Sequence, residues 1–84
     1  MKHAATPRFW ACYNALPEAV RQLADDKFAL LKVDPKHPSL HFKRIGAVWS
    51  CRVGLHYRAL GAGVDGGVSW FWIGTHSEYD KLVG

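Results

Sequence analysis

Val48-Trp49-Ser50-Cys51-Arg52-Val53, followed by Gly54-Leu55-His56 and then Tyr57-Arg58-Ala59-Leu60-Gly61-Ala62, is the stretch that decides the fold. Side chains on a strand alternate between faces, so Trp49, Cys51 and Val53 share one side while Ser50 and Arg52 take the other. After the short connection the alternation resumes, with Arg58 and Leu60 on one side and Tyr57 and Ala59 opposite. Upstream, Leu40-His41-Phe42-Lys43-Arg44 alternates in the same way and predicts a further strand, turned by Ile45-Gly46-Ala47. Downstream, Gly63-Val64-Asp65-Gly66-Gly67 predicts a hairpin loop. Val68 to Ile73, rich in Trp and Phe, predicts a central strand buried on both faces, with Trp70 and Trp72 on the same side.

The pattern changes on either flank. Thr6-Pro7 reads as an N-cap with proline at the first helical position, and Phe9, Trp10, Tyr13 and Leu16 follow at helical spacing. Pro17 ends that helix and starts another, because proline is tolerated only in a first turn. Val20, Leu23, Ala24, Phe28 and Leu31 give the second helix its apolar stripe, and Asp34-Pro35 stops it. Trp10 is expected at the helix–sheet interface. At the other end Thr75-His76-Ser77-Glu78 reads as a capping box opening a short helix that carries Tyr79 and Leu82. The expected architecture is α+β: a helical hairpin over about 6–33, packed on one face of an antiparallel sheet of about four strands over 40–74, then a terminal helix over 76–83.

With 84 residues the chain is a single domain, too short to hold a dinucleotide site and a second domain, and 49% hydrophobic residues argue against disorder. No apolar run approaches the roughly 18 residues of a membrane span, and the N-terminus has no apolar signal segment, so a cytoplasmic protein is expected. Cys12 and Cys51 fit that as reduced packing thiols. Neither they nor His37, His41 and His56 have metal-ligand spacing, and no phosphate-cradling glycine motif occurs. No metal or cofactor is expected.

The charge is unevenly spread. The net +4 is concentrated in the interval between Asp34 and Asp65, which has no acidic residue but holds Lys36, Lys43, Arg44, Arg52, Arg58 and three histidines. A basic stretch on a small domain suits a polyanion such as nucleic acid; the alternative is a merely solvated sheet face. Arg52 and Arg58, on neighbouring strands, could grip one phosphate through their planar forks and stabilise charge building on phosphorus. Otherwise they pair with Glu78 or Asp80. His76, just after the central strand, could protonate a leaving 5′-oxygen, or it is simply exposed. Tyr79 could stack on a base or close the core.

Taken in order, Leu31-Lys32-Val33-Asp34-Pro35, His37-Pro38-Ser39-Leu40-His41-Phe42-Lys43, Trp49-Ser50-Cys51-Arg52-Val53-Gly54, Tyr57-Arg58-Ala59-Leu60 and Trp70-Phe71-Trp72-Ile73-Gly74-Thr75-His76-Ser77-Glu78-Tyr79-Asp80 resemble the RelE/ParE superfamily of bacterial type II toxins, from about Thr6 to Val83. The resemblance implies a toxin bound by a cognate antitoxin. Its ribosome-dependent members cut mRNA in the decoding site without a metal, using the RNA 2′-hydroxyl as nucleophile. By position, Arg58 matches the phosphate-binding arginine and Arg52 a basic strand residue. His76 stands where one branch has arginine and others a catalytic histidine. Lys43, Arg44, His41 and Tyr79 are the implied RNA contacts. Two departures stand out. Lys2 to Ala5 leave room for only a stub of the family's first strand, and Ser50 replaces a lysine that would serve as base, for which His41, Lys43 or His56 could substitute. A ParE-like inhibitor of DNA gyrase without catalysis, or a non-toxic relative that only binds an antitoxin, are the alternatives the same resemblance allows.

Overall fold

The computed structural model describes residues 1–83. The chain runs β1 (Lys2–Ala5), α1 (Pro7–Asn14), α2 (Glu18–Val33), a 3-10 turn (Pro38–Leu40), β2 (Lys43–Ile45), β3 (Val48–Val53), β4 (Tyr57–Val64), β5 (Gly67–Thr75) and α3 (His76–Val83). The strands form one sheet in the order β1-β5-β4-β3-β2, antiparallel except that β1 lies parallel to β5. The two helices of the hairpin and the terminal helix are where the sequence predicts them. No helix among the described residues is long and apolar enough to cross a membrane.

Local chemistry starts and stops the helices as expected. The Thr6 hydroxyl accepts the Phe9 amide at 3.2 Å, with Pro7 in the first turn. The extended Asp34 closes α2 ahead of Pro35. Leu31 of α2 packs with Cys51, Val53, Ala59, Val68, Trp70 and Ile73 between the hairpin and the sheet. Each large side chain enclosed there contributes about 1.5–3 kcal/mol.

Four expectations need correction. The sheet has five strands, because Lys2–Ala5 forms a full parallel strand on β5. Nothing in Lys-His-Ala-Ala favours a strand by propensity; pairing with β5 imposes it. The predicted strand over 40–44 begins only at Lys43. Pro38–Leu40 winds into a 3-10 turn, His41 adopts a left-handed φ of 44°, and Phe42 stacks on Trp49 with ring centroids 4.7 Å apart. Burial of Leu40 and this stacking outweigh the alternating pattern. Trp10 is 49% exposed rather than interfacial. The α1 helix turns Phe9, Cys12 and Tyr13 toward the core, and Trp10 sits edge-on to Phe9 and Tyr13.

Trp70 and Trp72 occupy opposite faces. Gly61 pairs with Trp70 and Leu60 with Trp72, which leaves Phe71 as an extra residue, a β-bulge that reverses the alternation. Trp70 therefore joins the core under the hairpin. Trp72 forms a second, smaller core with Leu60 and Tyr79 on the other face, where α3 packs.

Candidate functional site

That second face carries the charged groups. Sheet register sets Arg52 directly across from Arg58, and Arg58 across from Gly74. The neighbouring row runs Lys43, Ser50, Leu60, Trp72. Residues paired across strands point to the same side, so Lys43, Arg52 and Arg58 share a face. Arg44, one position on from Lys43, belongs to the opposite side, where its Nε donates to the Gly46 carbonyl at 3.0 Å.

Arg58 is the centre of the site. It is only 7% exposed. One Nη donates to the hydroxyl of the fully buried Ser50 at 3.1 Å, and its guanidinium carbon stands 4.9 Å from the Tyr79 ring centroid. Its Nε is enclosed and has no partner, alone in this among the described side-chain polar atoms. A buried guanidinium usually faces a carboxylate, because an uncompensated charge in low dielectric is costly. Here none does. Glu78 is taken up by Thr75, accepting its amide at 3.1 Å and its hydroxyl at 2.9 Å, while the Glu78 amide donates back to the Thr75 oxygen at 3.2 Å. This is the capping box at the start of α3, and the two Thr75 donors, amide first, hold the Glu78 carboxyl below its ordinary range. Asp80 is taken up by His76, with Oδ2 3.2 Å from Nδ1, and theirs is the one ion pair among the described residues. The pairing of Arg52 and Arg58 with Glu78 or Asp80 that the sequence left open is absent.

His76 opens α3 at the end of β5. Its amide donates to the His56 carbonyl at 2.7 Å, tying α3 to the β3–β4 turn. Its ring centroid is 5.7 Å from that of Tyr79. Tyr79 thus stands between imidazole and guanidinium. It is buried against Arg58, Leu60 and Trp72 and closes the second core. Arg52 is half-buried. Its Nε donates to the Gly54 carbonyl at 3.0 Å and its Nη1 lies 3.3 Å from His41 Nε2. Of the three groups that could replace the missing lysine, His41 is the one that touches an arginine. Lys43 is exposed at the margin. Behind the site, burial pushes the Cys51 thiol up to about 11, against the opposing fields of Arg58 and Lys27, which leaves it neutral.

The roles of two neighbours escaped the sequence reading. Ser50 stood out only as a replaced lysine, yet it is the anchor of Arg58. Asp80 is four residues beyond His76, the spacing that makes helix neighbours, and that signal was available. Together the groups form a cationic corner: a buried guanidinium with open donor capacity, a second arginine across the strand pair, and a carboxylate-oriented imidazole.

Such an architecture, a helical hairpin on one face of this five-stranded sheet and a terminal helix on the other, defines a known fold. Solved structures that share it include three toxins. The toxin of the RelB-RelE antitoxin-toxin complex from Methanococcus jannaschii superposes with a TM-score of 0.73 at 12% identity, over 96% of this chain and 99% of that one. The isolated E. coli RelE toxin gives 0.64 at 15% identity, over 98% and 97%. A copper-bound mutant toxin from Helicobacter pylori gives 0.64 at 17% identity, over 93% and 97%. The chain has the fold of the RelE toxins. No family model and no curated protein matches its sequence.

Proposed function

We propose that this chain is the toxin of a toxin–antitoxin pair and that it cleaves mRNA on the ribosome. The observation that carries the reading is Arg58: a buried guanidinium that no carboxylate among the described residues neutralises. A protein retains such a group where an external anion completes it, and a phosphodiester matches the planar donor fork. The RNA 2′-hydroxyl attacks phosphorus, and Arg58 with Arg52 stabilises the charge that grows on the phosphoryl oxygens. His76, oriented by Asp80, passes a proton to the leaving 5′-oxygen as the P–O bond breaks. Once Arg52 turns from His41 to the phosphate, the freed Nε2 of His41 takes the 2′-hydroxyl proton, and Lys43 contacts the backbone. The partner is an antitoxin protein, as the M. jannaschii structure shows for its own RelE, and it silences the chain by covering this corner.

The test is induction in bacteria with mapping of RNA 5′ ends. The parent should arrest growth and create new 5′ ends within translated messages, and Arg58→Ala and His76→Ala should abolish both. Variants as toxic as the parent would overturn the assigned chemistry. Filamentation and DNA damage without new RNA ends would point instead to gyrase inhibition.

A further inference from the structure

On the opposite face lies a titratable group that the proposed chemistry does not use. His3 sits in the middle of β1, the four-residue edge strand held parallel against β5. Its Nδ1 accepts the indole N–H of Trp70 at 3.1 Å. The two rings lie within 14° of parallel with centroids 6.2 Å apart. A separation that wide, with the N–H···N bond at 3.1 Å, joins the rings through their edges. Because Nδ1 accepts, the neutral ring carries its proton on Nε2. The ring also meets Phe28 of α2 at 88° and 5.3 Å, and Lys32 Nζ lies 4.8 Å from the centroid of that same Phe28 ring. His3 and Trp70 both line the cleft of about 230 Å³ between hairpin and sheet, whose other ionisable groups are Asp25 and Lys27 of α2, Tyr13 of α1 and Cys51 of β3. Of these, Asp25 accepts the Tyr13 hydroxyl at 2.8 Å and Lys27 donates to Ser39 at 3.3 Å.

We propose that His3 is a proton-operated pin: neutral, it locks β1 onto Trp70, and protonated, it releases the strand and opens the edge of β5 and the cleft behind it. An imidazolium has N–H on both nitrogens, so protonation sets donor against donor at Trp70 and destroys the bond. The new cation also meets the N-terminal ammonium and Lys32, and burial disfavours it further. These effects, burial first, lower the His3 pKa from its ordinary 6.5. The sign follows from linkage. A free strand has the ordinary value and a docked one a lower value, so docking is at full strength above 6.5. It weakens as the pH falls from there toward the docked value, and is weakest below it. Beyond its four-residue parallel ladder with β5, β1 is tied at each end, where the Lys2 amide donates to Gly66 at 2.8 Å and the Thr6 amide to Trp70 at 2.9 Å.

The experiment is amide hydrogen exchange by NMR at about pH 7.5 and about pH 5, which brackets ordinary histidine titration, corrected for intrinsic exchange. Protection at Lys2 and Thr6 should fall several-fold at the lower pH while Leu60 and Ile73 hold. In His3→Asn, whose side-chain oxygen accepts from Trp70 without titrating, protection should be the same at both. A parent with unchanged β1 protection, or a variant with the same fall, overturns the proposal. A second measurement covers a variant that docks β1 poorly: in the parent, the His3 ring should titrate below 6.5 and the Trp70 indole N–H signal should move with the same midpoint. A midpoint at or above that value, or an indole signal that ignores it, overturns the proposal equally.

Discussion

Replacing Arg58 by Met together with Ser50 by Ala should leave the protein as stable as the parent or more so. In the parent the guanidinium gains from one bond to Ser50 at 3.1 Å, worth about 1.5–3 kcal/mol for a charged donor. Its approach to Tyr79 at 4.9 Å adds about 2 kcal/mol when desolvated. Against these stand the unpartnered Nε, about 1–3 kcal/mol, and removal of the cation from water, several kcal/mol even after relaxation. The adverse side is larger by on the order of 1–2 kcal/mol. The double variant removes both partners, so it orphans no hydroxyl, and Met keeps an apolar stem under Tyr79.

Thermal or urea unfolding reads the outcome. In a domain of this size each kcal/mol moves Tm by about 4–8 °C, so the expected change runs from zero to a rise of around 10 °C. Added inorganic phosphate should stabilise the parent by mass action and do nothing for the variant. A loss of about 3 kcal/mol or more, the cost of breaking a compensated buried charge, would mean that the chain itself neutralises Arg58. Equal stabilisation of both proteins by phosphate would show that the anion binds elsewhere. Either result removes the basis for the phosphodiester site.

Gly67→Ala should undock β1, because a Cβ there falls onto the Lys2 backbone, 2.7 Å from its carbonyl carbon and 2.9 Å from its nitrogen. Exchange protection should vanish at Lys2 and Thr6 while the β3–β4 pair stays protected. Thr75→Ala removes the reciprocal bonds with Glu78 and should cost about 1 kcal/mol, read as faster exchange along α3 and a lower urea midpoint. The same cap should loosen in acid: the Glu78 carboxyl titrates below its ordinary 4.5, so the cap is intact above that pH and lost as the pH falls through the lowered value. Cys51, buried and with its thiol pushed up to about 11, should resist alkylation at neutral pH until the protein unfolds, while the half-buried Cys12 reacts first. Mass spectrometry of partly alkylated protein checks the order.

Most of the scaffold was legible because its signals are local. Thr6-Pro7, Pro17, Asp34-Pro35 and the Thr75–Glu78 box bound helices through hydrogen bonds made within a turn or so, and the alternation in β3 and β4 survives because each has one apolar face. What was illegible depends on partners distant in sequence. Lys2–Ala5 has no strand character until β5 lies beside it. Leu40 and Phe42 obey burial rather than alternation. Trp70 and Trp72 look like same-face neighbours to any two-residue rule, and only the pairing with Leu60 and Gly61 shows the extra Phe71. For the candidate site, the face shared by Arg52 and Arg58 could be read from spacing. Their environments could not: that Ser50 anchors one and His41 the other is a property of register and of the turn at residues 38–41.

The bulge and the burial of Arg58 are one feature. Without Phe71 as an extra residue, Trp72 would fall on the hairpin side and the second face would lose its largest apolar group. Instead Trp72 crosses the space beside Gly74, where a Cβ would come within 3.0 Å of its ring and 3.1 Å of Glu78, and it meets Tyr79 from α3 and Leu60 from β4. That small core encloses the stem and Nε of Arg58. A guanidinium on an open sheet would be hydrated and worth little to an anion, since Coulomb attraction at 4 Å is about 1 kcal/mol in water and several times that in a partly desolvated site. An irregularity that costs one ladder position thus converts an ordinary basic strand residue into a concentrated positive charge. It also makes the site's strength depend on α3 staying docked through Tyr79.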